Sequence, residues 1–189
     1  MRRKIIAIIG DAICEEGSQK FNLAYEAGKA VIDAGFRLQC GGYGGVMNAS
    51  CKGARSSSKY REGDIIGIVP SFNPADANGY VDISIATGLD LFRNIIVANA
   101  DAVIAVGGGA GTLTEIANAW LLKRLIVAFS NCNGWSEKVA GTRLDGRVRY
   151  PNIPDDKIYG VTSANEALEV ITRLIDKYTA HHHGIGACE

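Results

Sequence analysis

Gly107-Gly108-Gly109-Ala110-Gly111-Thr112-Leu113-Thr114-Glu115 joins residue types that cradle an anion to one that could act on it. Glycines let backbone N–H groups approach a phosphate closely, and the first turn of a helix adds unpaired donors and the positive end of its dipole. A phosphate, sulfate or nucleotide is therefore expected against the backbone of Gly108, Gly109, Ala110, Gly111 and Thr112. Glu115 follows one helical turn in, and a carboxylate is poor design beside a cradle that only binds phosphate, so it points to chemistry. A competing reading is structural. Thr112-Leu113-Thr114-Glu115 has capping-box spacing, in which the N-cap hydroxyl and the N3 carboxylate satisfy each other's backbone amides. Ser163-Ala164-Asn165-Glu166 repeats that spacing where nothing points to chemistry. The glycine run favours function, because a plain cap does not require it.

Two phosphate motifs do not fit. No Gly-Lys-Ser/Thr closes a Walker A loop. The dinucleotide fingerprint needs a third glycine, and counting from Gly107 places Thr112 there, far from the first βαβ unit. NAD and FAD are therefore not expected, and neither a cofactor nor a metal is assigned.

The elements that must position these residues read as alternating strands and helices. Strands are expected at Lys4 to Gly10, Arg37 to Cys40, Asp64 to Val69, Ala102 to Val106, Leu125 to Phe129 and Ile158 to Val161, with an edge strand at Tyr80 to Ile85. Helical spacing covers Ser18 to Ala34, Met47 to about Lys59, Leu89 to Ala100, Leu113 to Lys123 and Ala164 to Tyr178. Apolar runs without period-two alternation predict a doubly wound α/β architecture: a mostly parallel, Rossmann-like sheet with helices on both faces. A second glycine turn, Gly41-Gly42-Tyr43-Gly44-Gly45, then falls at the same carboxyl edge of the sheet as the first. A polar stretch from Ser130 to Asp156 is placed over one rim, and its Arg143, Arg147 and Arg149 read as solvated surface or as a clamp on an anionic ligand.

The chain has 189 residues, 47% hydrophobic and 21% charged, which predicts one domain over residues 1–179 and a frayed or artificial tail over 180–189. Twenty basic residues balance twenty acidic ones, so no global field recruits nucleic acid. No apolar run reaches membrane-spanning length, and the N-terminus leads into a strand too short for a signal peptide. Five cysteines without a C-x-x-C pair predict reduced thiols in a cytoplasm. Cys40 reads as a core thiol, since no histidine precedes His181 to activate it. Leu89, Leu91, Phe92, Ile95, Ile96 and Val97 exceed one buried stripe, so that helix is expected either sandwiched in the core or shared with a partner subunit in a two-fold dimer.

Gly41-Gly42-Tyr43-Gly44-Gly45-Val46-Met47 resembles the Gly-Gly-Gly-x-x-Gly-Leu-Met segment of the LONELY GUY (LOG) proteins, once misnamed lysine decarboxylases. Gly108-Gly109-Ala110-Gly111-Thr112-x-x-Glu115 resembles their Pro-Gly-Gly-x-Gly-Thr-x-x-Glu signature, and the likeness extends from Lys4 to about Phe129. The wider group includes molybdenum-cofactor carrier proteins, which bind a pterin phosphate. The resemblance implies a Rossmann-like fold, typically a dimer, and a small phosphorylated ligand. It implies either hydrolysis of the N-glycosidic bond of nucleoside 5′-monophosphates, with Glu115 and Arg93 as the catalytic pair, or a carrier without turnover. The ligand pocket would take in Gly10, Asp11, Gly41, Gly42, Tyr43, Gly44, Gly45 and Met47, the Tyr43 and Met47 side chains stacking on a base or packing in the core.

Three positions depart from the LOG pattern. Gly107 replaces proline. Arg93 is followed by Asn94 and lies one residue nearer the signature, which on an α-helix turns a side chain by roughly 100°. That leaves Arg93 either a ligand contact or a solvated helix arginine. Asp11 replaces serine, where a carboxylate repels phosphate or bonds sugar hydroxyls.

Overall fold

The structure, a computed structural model, describes residues 2–182; the greater part of the expected tail lies outside the described residues. The elements are β1 (Ile5–Gly10), α1 (Gln19–Asp33), β2 (Arg37–Cys40), α2 (Gly45–Arg55), β3 (Ile65–Val69), β4 (Ile83–Ala86), α3 (Asn94–Ala98), β5 (Ala102–Val106), α4 (Ala110–Leu121), β6 (Leu125–Phe129), α5 (Trp135–Val139), β7 (Tyr159–Val161) and α6 (Ala164–Leu174). The seven strands are all parallel and run in the order β4-β3-β2-β1-β5-β6-β7.

The strand sequences explain this sheet. Ala102-Val103-Ile104-Ala105-Val106 and Leu125-Ile126-Val127-Ala128-Phe129 are buried at every position, so both faces need a helical cover. Ile6, Ile8, Ile104 and Val127 pack under α1, α2 and α6 on one face. Ala7, Ile9, Val103 and Ile126 pack under α3 and α4 on the other. The chain winds outward from β1 through β4, then returns to add β5 on β1's other side. The reversal puts a crevice between the carboxyl ends of β1 and β5, the place where open α/β sheets bind ligands.

Local signals set most boundaries. The Ser18 hydroxyl accepts from the Phe21 amide at 3.3 Å and starts α1. Two helices are shorter than their apolar spacing predicts: α2 stops at Arg55 and α6 at Leu174. The expected helix from Leu89 to Ala100 is instead a 3-10 turn, Asp90–Arg93, followed by the five-residue α3. Asp90 has a φ of 48°, a left-handed conformation that no α-helix contains. No helix of the described residues is long and apolar enough to cross a membrane.

Candidate functional site

The crevice at the sheet reversal is a cavity of about 350 Å³ lined by Gly10, Asp11, Gly41, Met47, Leu91, Arg93, Asn94, Gly109, Gly111, Thr112 and Glu115, together with Ile9 and Ala12. It thus gathers the ends of β1 and β2, the 3-10 turn and the start of α4. Among the pocket residues expected from the sequence, Gly42, Tyr43, Gly44 and Gly45 lie in the turn behind and do not line it. Tyr43 packs against the core beside α2, and Gly44 is the N-cap of α2.

The α4 helix starts one turn before the expected position. Gly109 is its N-cap, without any side-chain cap bond, and Ala110 is its first residue. That removes the capping-box reading of Thr112 and Glu115: Thr112 is the third helical residue and Glu115 the sixth, beyond reach of the N-cap amide. It also leaves the amides of Gly109, Ala110, Gly111 and Thr112 without acceptors among the described residues, at the positive end of a helix of 12 residues.

Gly108 behaves differently from the expected cradle. Its amide donates to Asp11 Oδ2 at 2.9 Å, and the same carboxylate oxygen pairs with Lys20 Nζ at 2.7 Å. Through this oxygen Asp11 ties the β5 turn to β1, and it pairs with a lysine at the edge of the cavity it lines. Gly107 has to be glycine here. Its φ is 64°, and a Cβ would lie 2.4 Å from Asp11 Oδ2. The far side of the turn is held by the segment after β6. Ser136 Oγ accepts from the Gly107 amide at 2.8 Å and donates to Phe129 O, while the amides of Trp135 and Ser136 donate to the carbonyls of Gly108 and Gly107. The polar stretch thus supports the turn through α5. Its arginines do not line the cavity: Arg149 is buried against Asp156 and Trp120, Arg147 pairs with Asp145, and Arg143 donates to the Arg147 carbonyl.

Arg93 is 9% exposed, so it is not a solvated helix arginine. The one-residue offset loses its meaning because Arg93 closes a 3-10 turn and not an α-helical one. Two side chains anchor α3, which follows that turn directly. Gln39 Nε2 donates to the carbonyls of Ile96 and Val97 at 3.2 and 3.0 Å, and Asn94 Nδ2 donates to Thr114 Oγ1 at 2.9 Å. The guanidinium lies over Gly41, where a Cβ would come within 2.4 Å of Nη1. It faces Glu115, with Nη1 at 3.6 Å from Oε1, an ion-pair distance without a hydrogen bond. Nη1 is buried and has no hydrogen-bond partner among the described residues. Glu115 is 7% exposed, and burial pushes its carboxyl up to about 7, against the opposing pull of Arg93.

The chemistry available is therefore anion binding by four free amides and one free guanidinium donor, beside a carboxyl poised near neutrality. Lys20, Gln39, Asn94 and Ser136 were not picked out from the sequence. Of these only Asn94 had a local signal, its place after Arg93; the others act across the fold.

Comparison with known proteins gives the same neighbourhood. The model of the SLOG cluster4 family matches residues 3–153. An uncharacterised protein of Archaeoglobus fulgidus is 40% identical over 120 residues, covering 63% of this chain and 75% of its own length. The molybdenum cofactor binding protein of the phototrophic bacterium Rippkaea orientalis superposes with a TM-score of 0.73 at 29% identity, over 93% of this chain and 99% of its own. The molybdenum cofactor carrier protein of Chlamydomonas reinhardtii does so with 0.70 at 27% identity, again over 93% and 99%.

Proposed function

The chain belongs to the SLOG cluster4 family, and from that premise we propose that it binds a small phosphorylated ligand, a pterin phosphate of the molybdenum-cofactor kind, as a carrier. The observation that carries this reading is Arg93, which lines the same cavity as the start of α4 and whose buried Nη1 has no acceptor among the described residues. A buried donor left unsatisfied costs about 1–3 kcal/mol, and more when charged. A phosphate oxygen meets that need, and the helix N-terminus holds the remaining oxygens. The phosphate sits on Gly109 to Thr112, because the Gly108 amide is already taken by Asp11.

One observation favours a second reading. Arg93 and Glu115 converge on one cavity, the arrangement that hydrolysis of a nucleoside monophosphate would use, with the carboxylate stabilising oxocarbenium character on the ribose. Incubation with AMP and related monophosphates, followed by chromatography for free base, separates the two. Release of free base makes the protein a phosphoribohydrolase. Tight calorimetric binding of a phosphorylated pterin without turnover of monophosphates makes it a carrier.

The shared premise is tested by Gly109→Asp. Gly109 has an ordinary φ of −97°, and a Cβ there meets nothing within 4 Å, so the fold tolerates the side chain. The new carboxylate should abolish phosphate-ligand affinity, and unchanged affinity would remove the reading. The rim of the same cavity is apolar: Leu91 is 73% and Phe92 82% exposed. We expect two copies to pair through this row. Light scattering should give a dimer at micromolar concentration that Phe92→Asp converts to a monomer; a wild-type monomer refutes the pairing.

A further inference from the structure

Cys40 ends β2 and Cys51 lies in α2, and their Sγ atoms are 3.5 Å apart with both residues fully buried. Cys40 Sγ also accepts from the Gly42 amide at 3.3 Å. Asn78 completes the anchor: its Nδ2 donates to the carbonyls of Gly42 and Tyr43 at 3.1 and 2.9 Å and approaches Cys51 Sγ at 3.9 Å. Two thiols therefore help to hold the glycine turn on which Arg93 rests. The pair is asymmetric. The Cys51 thiol, the Gly42 amide and the charge of Arg93 together draw Cys40 toward thiolate, while the neighbouring sulfur and burial hold Cys51 protonated. The more readily ionised thiol and its proton-bearing partner are thus side by side.

We propose that Cys40 and Cys51 form a reversible oxidation site, which hydrogen peroxide closes to a disulfide, shifting the glycine turn against Arg93. The Cys40 thiolate attacks one peroxide oxygen, the O–O bond breaks, and Cys40 becomes a sulfenic acid as the other oxygen leaves and is protonated to water. The Cys51 sulfur then attacks the Cys40 sulfur; the S–O bond breaks and the departing hydroxide takes the Cys51 proton as a second water. Two thiols are oxidised and one peroxide is reduced. The sulfurs draw in from 3.5 Å to about 2.05 Å, and a disulfide sulfur accepts the Gly42 amide less well than a thiolate does. Neither sulfur is exposed, so the oxidant has to pass the cavity wall at Gly41, which follows Cys40, and Met47, one helical turn before Cys51. Cys132 provides an internal control, since its nearest polar partner is the Ser136 hydroxyl and not a thiol.

The test uses the reduced full chain, treated with hydrogen peroxide, denatured and alkylated. Trypsin cuts after Arg37 and Lys52, so both cysteines fall in the one peptide 38–52. That peptide should lose two hydrogens, refuse the alkylating label and regain both labels after dithiothreitol. In Cys51→Ser, Cys40 should stop at a sulfenic acid that dimedone traps. Peroxide that oxidises the half-exposed Cys14 while peptide 38–52 stays fully labelled overturns the site, as does over-oxidation of Cys40 without a disulfide. The effect on the cavity rests on the ligand reading above: the oxidised protein should bind phosphorylated pterin about ten-fold more weakly, reversibly. Unchanged affinity once the disulfide is formed breaks the link to Arg93. Absence of binding in both states counts against the ligand reading alone, because peptide masses decide the oxidation site without it.

Discussion

Thr112-Leu113-Thr114-Glu115 and Ser163-Ala164-Asn165-Glu166 share the same hydroxyl-to-carboxylate spacing, and the fold puts the two glutamates to opposite uses. At the start of α6, Ser163 Oγ accepts from the Glu166 amide at 3.3 Å, and Glu166 reaches back to the Thr162 amide at 2.7 Å. That amide holds the exposed Glu166 carboxyl below its ordinary value. In α4 the N-cap is Gly109, so the same pattern falls inside the helix and Glu115 turns inward to face Arg93. Burial raises its carboxyl to about 7. Spacing alone does not assign a role to a carboxylate; the position of the N-cap and the depth of the side chain do.

The sharpest way to break this contrast is to remove the partner of the buried glutamate. Arg93→Met should cost about 10–100-fold in affinity for a phosphorylated ligand, the worth of a charge-assisted hydrogen bond, while Arg173→Met near the end of α6 leaves it unchanged. Calorimetric titration of both variants reads the difference, and equal affinities would take Arg93 out of the site.

A smaller effect separates the glutamates by pH. The carboxyl of Glu115 sits higher in the folded chain than in the unfolded one, so its favourable contribution is complete below the unfolded value near 4.5 and is lost as pH rises through about 7. Glu115→Gln should therefore stabilise the protein by up to about 3 kcal/mol at pH 8 and change little at pH 4. Denaturant melts at both pH values measure this, and a variant destabilised at pH 8 but not at pH 4 would place the ionised carboxylate in a stabilising role. The smallest effect has the opposite sign. The carboxyl of Glu166 is depressed, so its contribution is present at neutral pH and lost as pH falls through its folded value. Glu166→Gln should lower the thermal midpoint slightly at pH 7 and not at all at pH 3; a shift that persists at pH 3 would mean that charge plays no part in this cap.

Much of the fold was legible in the residues. Uninterrupted apolar runs such as Ala102 to Val106 announce strands buried on both faces, and Ser18 and Ser163 mark helix starts with hydroxyls. Boundaries failed where the deciding residue has no side-chain signal. Gly109 caps α4 with its backbone alone, so apolar spacing placed the start near Leu113. Asp90 breaks the expected long helix through a positive φ that its residue type does not announce. Tyr43 lies among glycines, where stacking on a base and packing on the core were both open, and its partly buried side chain packs against the core and does not line the cavity.

Residue order is enough for the α/β alternation and for two glycine turns at strand ends. These depend on short-range facts: β-branched runs favour extended chain, and glycine permits turns closed to other residues. It took the folded chain to give Asp11 the amide of Gly108, 97 residues away, to anchor α3 through Gln39 and Asn94, and to bring Cys40 to Cys51. The tertiary structure also decided that Arg93 and Glu115 face each other out of water, with one guanidinium donor unsatisfied. The physical reason is that burial and Coulomb energy depend on distance through space and on the removal of solvent, neither of which is a property of neighbours along the chain.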